Sequence, residues 1–105
     1  MKTNDLRKRK TSYYRWQKLR LEALLAVVQR KDVFIEIIYK SKTEKDAIER
    51  VVSHFNLSSR QACYLLGLEF RKFGALNYEE LQKEYERVAR YCQILAPNNK
   101  KFINL

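Results

Sequence analysis

Glycine and proline are almost missing from this chain, at two and one in 105 residues. β-Sandwiches and doubly wound α/β folds need far more turn punctuation, so their scarcity favours helices joined by short connections. Cysteine is scarce as well. Cys63 and Cys92 are too few and too far apart for a zinc cluster or a disulfide framework. Both fall in helical stretches, where they read as small apolar residues, buried or half-buried. No run approaches the roughly 20 apolar residues of a membrane span. No apolar stretch follows Lys8, Arg9 and Lys10 as a secretory signal requires. A cytoplasmic setting is expected, with association to the nucleoid and no membrane partner, and the start at Met1 points to a free-standing product.

Acid is in short supply: 12 Asp and Glu stand against 22 Lys and Arg, a net charge of +10. The excess is local. Residues 1–31 hold ten basic groups against only Asp5 and Glu22, whereas residues 32–105 are nearly balanced. Such a segment attracts polyanions. The length suits one domain with one core. Composition and charge divide it into a basic, flexible segment 1–12, a helical domain 13–96 and a tail 97–105.

Periodicity and capping place the helices. Tyr13, Trp16, Leu19 or Arg20, Leu24, Val27 and Val28 recur at steps of three and four, predicting a long helix from Asp5 or Ser12 to about Arg30. Val33 to Tyr39 has strand-like composition, but a lone strand would have no partner, so a helix capped by Asp32 is expected. Thr43 with Asp46 marks a helix to about Phe55, and Ser58 with Gln61 a capping box for a helix from Ser59 to Phe73. Gly74 suits a C-terminal cap. Asn77 with Glu80 opens a last helix to about Leu95, which Pro97 stops. The expected fold is all-α: a compact bundle of about five helices, the long first and last ones forming a short arm.

The run Leu57-Ser58-Ser59-Arg60-Gln61-Ala62-Cys63-Tyr64-Leu65-Leu66-Gly67-Leu68 is specific, and Phe70, Phe73, Leu76, Leu81, Glu84 and Tyr85 continue it in register. It resembles the A subunit of bacterial type IIA topoisomerases, gyrase and topoisomerase IV. Upstream, Leu21 to Leu25, Val33 to Tyr39, and Ser41-Lys42-Thr43 with Ala47 resemble the same protein in the same order, so the similarity covers about Trp16 to Leu95. The resemblance implies the globular tip at the end of coiled-coil arms, where two tips meet across a two-fold axis as an exit gate. It implies a dimer interface at Gln61, Tyr64, Leu65, Leu68, Glu69, Phe73 and Leu76. Glu69 stands where the family usually has arginine, a reversal that can select a different partner.

Nothing in the sequence assembles a catalytic site. Ala89-Arg90-Tyr91 echoes the surroundings of the family's DNA-cleaving tyrosine, but it lies late in a helix, whereas that tyrosine belongs to a separate upstream domain. His54 reads as a helix-end histidine meeting the dipole, and Glu79-Glu80 as first-turn acids. No Gly-rich phosphate loop occurs. No catalytic residue, metal or cofactor is expected.

The basic residues Arg7, Lys8, Arg9, Lys10, Arg15, Lys18 and Arg20 carry the nucleic-acid expectation, DNA or RNA, with Tyr13, Tyr14 and Trp16 interleaved for stacking or for packing in the core. Three functions follow. The first is a self-pairing, DNA-associated module without catalysis. The second is a protein that binds and modulates a type IIA topoisomerase, and the third is a basic RNA- or ribosome-associated accessory protein.

Overall fold

The computed structural model describes residues 2–68 and 70–95, with side chains from 9 to 68 and from 72 to 95. Six helices follow one another: α1 (Lys2–Val28), α2 (Lys31–Lys40), α3 (Glu44–Phe55), α4 (Ser59–Leu66), the short α5 (Phe70–Gly74) and α6 (Tyr78–Leu95). No strand occurs among the described residues. Pro97 and the tail expected to begin there lie outside them.

The central helix is α1. It touches α2, α4 and α6, and it runs antiparallel to α6 along most of its length. The rungs are Thr11 Oγ1 donating to the Leu95 carbonyl at 3.4 Å, Tyr14 stacked on Tyr91 with ring centres 5.2 Å apart, and Tyr85 Oη donating to Glu22 at 3.1 Å. This pair forms the arm, and α2 to α5 form a knob at one end of it. The whole measures 50 × 28 × 24 Å.

Because three helices press on α1, its buried arc is broad. Leu21, Ala23, Leu24 and Val27 are its core residues. The stripe expected from the sequence holds at Leu24 and Val27 and fails towards the start of the helix, where Tyr13 is 57% exposed and Leu19 lies at the surface. Single-face periodicity fails where a helix has neighbours on more than one side. The helix also begins at Lys2, ahead of the start expected at Asp5 or Ser12.

The expected α2 is a helix, and Phe34 is the side chain it buries, against Phe73 at 5.1 Å and Phe55 at 6.3 Å between ring centres. Asp32 does not cap it. Arg30 holds the cap position without a side-chain bond, and Asp32 lies inside the first turn. The other three caps form as expected: Thr43 Oγ1 accepts from the Asp46 amide, Ser58 and Gln61 close a reciprocal box, and Asn77 Oδ1 accepts from the Glu80 amide.

The helix expected over Ser59–Phe73 breaks in two. Gly67 donates to the carbonyls of Cys63 and Tyr64, and Leu68 to that of Leu65, so the last turn of α4 tightens and stops. In one straight helix Phe73 would fall about 80° off the line of Leu65. The break lets both reach the core, at 5% and 1% exposure. Cys63 is exposed on α4, against the burial expected of it, and Cys92 is half-buried. Gly74 is not a left-handed cap, since no described glycine has positive φ. The left-handed residue is Asn56, at φ 55° after α3, from which the chain turns so that the Leu57 amide reaches the Val52 carbonyl at 3.2 Å.

Asparagine tolerates that conformation and β-branched residues do not. Asn56→Val should lower stability by about 1 kcal/mol or more, and Asn56→Gly by no more than a few tenths. Chemical denaturation of the two variants checks this.

Candidate functional site

Two surfaces contain the residues singled out by the sequence. On the knob, the seven expected interface positions divide. Gln61, Leu65 and Phe73 are buried within their own chain, at 5% exposure or less. Gln61 uses every polar atom locally: its amide donates to Ser58 Oγ, its Oε1 accepts from the Ser58 amide, and its Nε2 donates to the Leu19 carbonyl at 2.7 Å. It is a strut between α4 and α1, so pairing by this side chain is corrected to an internal role. Leu65 and Phe73 are likewise occupied by the core, because the knob is too small to fill itself without them. Tyr64, Leu68 and Leu76 are half-buried, and Glu69 lies outside the described residues.

Beside Leu68 the knob leaves apolar surface open. Ile38 is 42% exposed and Tyr39 is 83% exposed at the end of α2. A shallow groove next to them is lined by Phe34, Ile35, Ile38, Leu65, Leu66, Leu68 and Phe73. Sequence reasoning gave α2 no part in an interface. The signal was present in its apolar excess, which exceeds what one buried residue of the helix, Phe34, requires.

The second surface is the arm. Arg9, Lys10 and Arg15 are exposed and Lys18 is half-buried, while the side chains of Arg7 and Lys8 lie outside those described. Helical geometry turns each successive residue by about 100°, so Arg9 and Lys10 leave α1 in different directions. Arg20 is not available to a phosphate. Its Nε donates to Gln17 at 2.7 Å, one terminal nitrogen to Tyr64 Oη at 3.3 Å, and the other meets Glu84 at 3.5 Å. It ties α1, α4 and α6 together, the rigid forked use to which guanidinium is suited.

The aromatics are mostly engaged with one another. Trp16 sits edge-on to Tyr64 at 5.8 Å and carries the Arg60 guanidinium 3.9 Å above its ring centre. Trp16 and Arg60 are far apart in the chain, and no local pattern announces their meeting. Tyr14 lies between Tyr13 and Tyr91, which leaves Tyr13 as the aromatic of the segment with most of its ring open.

The groups with shifted titration owe it to burial or to local hydrogen bonds. Burial pushes the Cys92 thiol up despite Lys18 and Arg15 nearby, which favours the protonated form. Asp46 is held below the usual carboxylate range, first by the Lys42 amide, a bond that closes the turn into α3, and then by Arg50 one turn along the helix. Burial and then the Glu22 carboxylate push the Tyr85 hydroxyl above its ordinary value. The neutral phenol is therefore the form the fold favours. Its contribution is complete below about pH 10, the unfolded value, and fades as pH climbs through the raised one. Tyr85→Phe should flatten that part of the alkaline stability curve, as read by denaturation midpoints from about pH 8 to 11.

His54 is exposed in the last turn of α3, its ring edge-on to Phe55 at 5.0 Å. Tyr91 is occupied by its stack on Tyr14. No cluster of three or more His, Cys, Asp or Glu suited to a metal occurs among the described residues, and no described helix is long and apolar enough to cross a membrane.

An antiparallel arm carrying a helical knob, with the capping-box motif at the head of α4, is the arrangement that the resemblance to type IIA topoisomerase A subunits implies. Over about 70% of its length the chain matches one segment of the A subunit of DNA gyrase. It is 42% identical to the gyrase A protein from Borreliella burgdorferi over 64 residues, 61% of this chain and 8% of that protein. It is 35% identical to the Streptococcus pneumoniae protein over 76 residues, 72% of this chain and 9% of that one. With the Metamycoplasma arthritidis protein the identity is 34% over 84 residues, again 9% of the relative. The chain thus spans less than a tenth of the length of these curated relatives. No family model matches it.

Proposed function

We propose that this chain is a non-catalytic pairing module whose knob meets a second copy of itself and whose basic arm lies against DNA. The observation that carries the reading is the open apolar face of α2, with Tyr39 83% exposed and Ile38 42% exposed beside the gyrase-like motif. Solvated apolar side chains of this size, grouped around a groove, gain free energy when a partner covers them. A two-fold partner presents the same face, so each residue is used twice. Pairing then brings two basic arms together, and their weak phosphate contacts reinforce each other. Tyr91 has a packing role on this reading, which supports function by binding rather than by strand cleavage.

Sedimentation velocity over a wide concentration range tests the pairing half. A species of twice the 12.7 kDa chain mass is expected, and a monomer at every concentration contradicts it. The DNA half implies affinity that falls steeply with salt.

A second reading has this chain pair with an intact gyrase A protein, thereby modulating it. The sequence similarity of the matched segment itself favours it. Co-purification with gyrase A and a change in supercoiling are its expected results. Neither appearing would leave self-pairing alone.

A further inference from the structure

Where the arm leaves the knob, its aromatic rings join into one strip. Tyr91 of α6 stacks on Tyr14 of α1 with ring centres 5.2 Å apart, and Tyr14 meets Tyr13 edge-on at 5.1 Å. Trp16 follows Tyr13 one turn along α1, and it meets Tyr64 of α4 at 5.8 Å. The strip therefore crosses α6, α1 and α4. Packing leaves part of it open: Tyr13 is 57% exposed and Tyr91 is 42% exposed, its ring covered by Tyr14 on one face.

Charge around the strip has one sign. Residues 7–18 and 87–95 hold eight Lys and Arg and no Asp or Glu. The acids of α6, Glu79, Glu80, Glu84 and Glu86, all precede this stretch and stand towards the knob. Glu84 is held by Arg20, and Glu22 accepts from Tyr85. With every bordering acid counted, residues 5–22 and 84–95 still carry nine basic groups against four acidic ones. Arg9 and Lys10 precede Tyr13 by four and three residues and so flank it, and Arg87 stands one turn before Tyr91. None of these three cations enters an ion pair among the described residues.

We infer that this half of the arm is a stacking platform for single-stranded nucleic acid, with unpaired bases on Tyr13 and Tyr91 and backbone phosphates on the cations beside them. The platform rests on the nucleic-acid half of the proposed function and specifies the form of nucleic acid that the arm takes. Open rings set among cations suit a single strand, which offers a π-face on every base and a phosphate beside it. A duplex keeps those faces within its own stack and offers the rings nothing in exchange. A lipid surface suits the strip less well, because an interfacial helix needs a broad apolar face. Among the described residues of this half of the arm, the exposed aliphatic side chain is Ile94. The Arg60 guanidinium, 3.9 Å over Trp16, continues the same mixture of plane and charge towards the knob.

The test measures binding of the full chain to a fluorescent oligothymidylate, to its oligouridylate counterpart and to a DNA duplex of equal length, by anisotropy across a salt series. Single strands should bind at least about tenfold more tightly than the duplex, against the order that charge density alone would give. Tyr13→Leu should lose about tenfold in single-strand affinity with its salt slope and duplex affinity unchanged, and Tyr13→Phe should stay within about twofold of the natural chain. Arg9→Ala/Lys10→Ala should lower the single-strand slope by about 1.4, at about 0.7 per phosphate contact. Tyr78→Leu, at the exposed tyrosine that starts α6, is the control and should change nothing. Photocrosslinking of the natural chain to an iodouracil-containing strand should label Tyr13 or Tyr91, a readout that needs no variant to fold. Equal affinity for single strand and duplex, with no effect of Tyr13→Leu, overturns the inference; the proposed function survives if Arg9→Ala/Lys10→Ala weakens duplex binding. Crosslinks confined to other residues also overturn it. Binding to oligouridylate alone keeps the platform and removes the DNA half of the function. Binding to vesicles of phosphatidylserine and phosphatidylcholine but to no nucleic acid overturns both, and leaves pairing to be judged by sedimentation.

Discussion

Leu65→Ala should cost about 3–4 kcal/mol, the upper-middle range for removing a fully buried leucine. Leu65 is 1% exposed and belongs to the cluster in which α1, α2, α4 and α5 meet, with Leu21, Phe34 and Phe73 among its members. The cavity left behind has little means of collapsing, because α4 is pinned on one side by Gln61 to the Leu19 carbonyl. At roughly 4–8 °C per kcal/mol for a domain near this size, the melting midpoint should fall by more than about 12 °C. Leu66, half-buried on the same helix, should lose clearly less on the same substitution. Urea denaturation of both variants reads the difference. A small effect at Leu65 would return it to the role the sequence suggested, a side chain held ready for a partner.

Ile38→Asp/Tyr39→Asp should weaken self-pairing at least about a hundredfold, equivalent to about 2.7 kcal/mol. Symmetry doubles the effect. In a two-fold interface each copy contributes both residues, so four charged groups are forced into the contact by two substitutions. Each new carboxylate must be desolvated without a fixed cation opposite it. The same variant should unfold within about 0.5 kcal/mol of the natural chain under dilute conditions, as surface substitutions ordinarily do. Light scattering after size exclusion measures the pairing, and denaturation at low concentration measures the fold. Loss of both together would mean that α2 needs these residues for its own packing.

What the sequence reveals here is chiefly what is local. Thr43, Ser58 with Gln61, and Asn77 announce helix starts because a side chain and an amide three residues on satisfy each other without help from the rest of the chain. The all-α class follows from the same local signals and from the near absence of Gly and Pro. What escaped was tertiary. The phase of α1 is set by three neighbours rather than one, so Tyr13 points outward where periodicity placed it inward. The break between α4 and α5 exists because Leu65 and Phe73 both need the core. Arg20 looked like one more phosphate ligand in a basic run, and only the approach of Tyr64 and Glu84 gives it another task. Asn56 gave a weak signal, as asparagine is common in turns of every kind. The knob's open face was legible only indirectly. The motif named its neighbourhood through Tyr64, Leu68 and Leu76, but Ile38 and Tyr39 emerge once α2 is seen to bury Phe34 and leave them out.

The pairing face is tested most directly by distance. Cys63 is exposed on α4 and accepts a spin label once Cys92 is replaced by serine. Pulsed dipolar spectroscopy on the full chain should then give a single, well-defined intermolecular distance, which vanishes in Ile38→Asp/Tyr39→Asp and on dilution with unlabelled chain. No dipolar signal at the highest soluble concentration, or a signal indifferent to those two substitutions, would contradict pairing through α2.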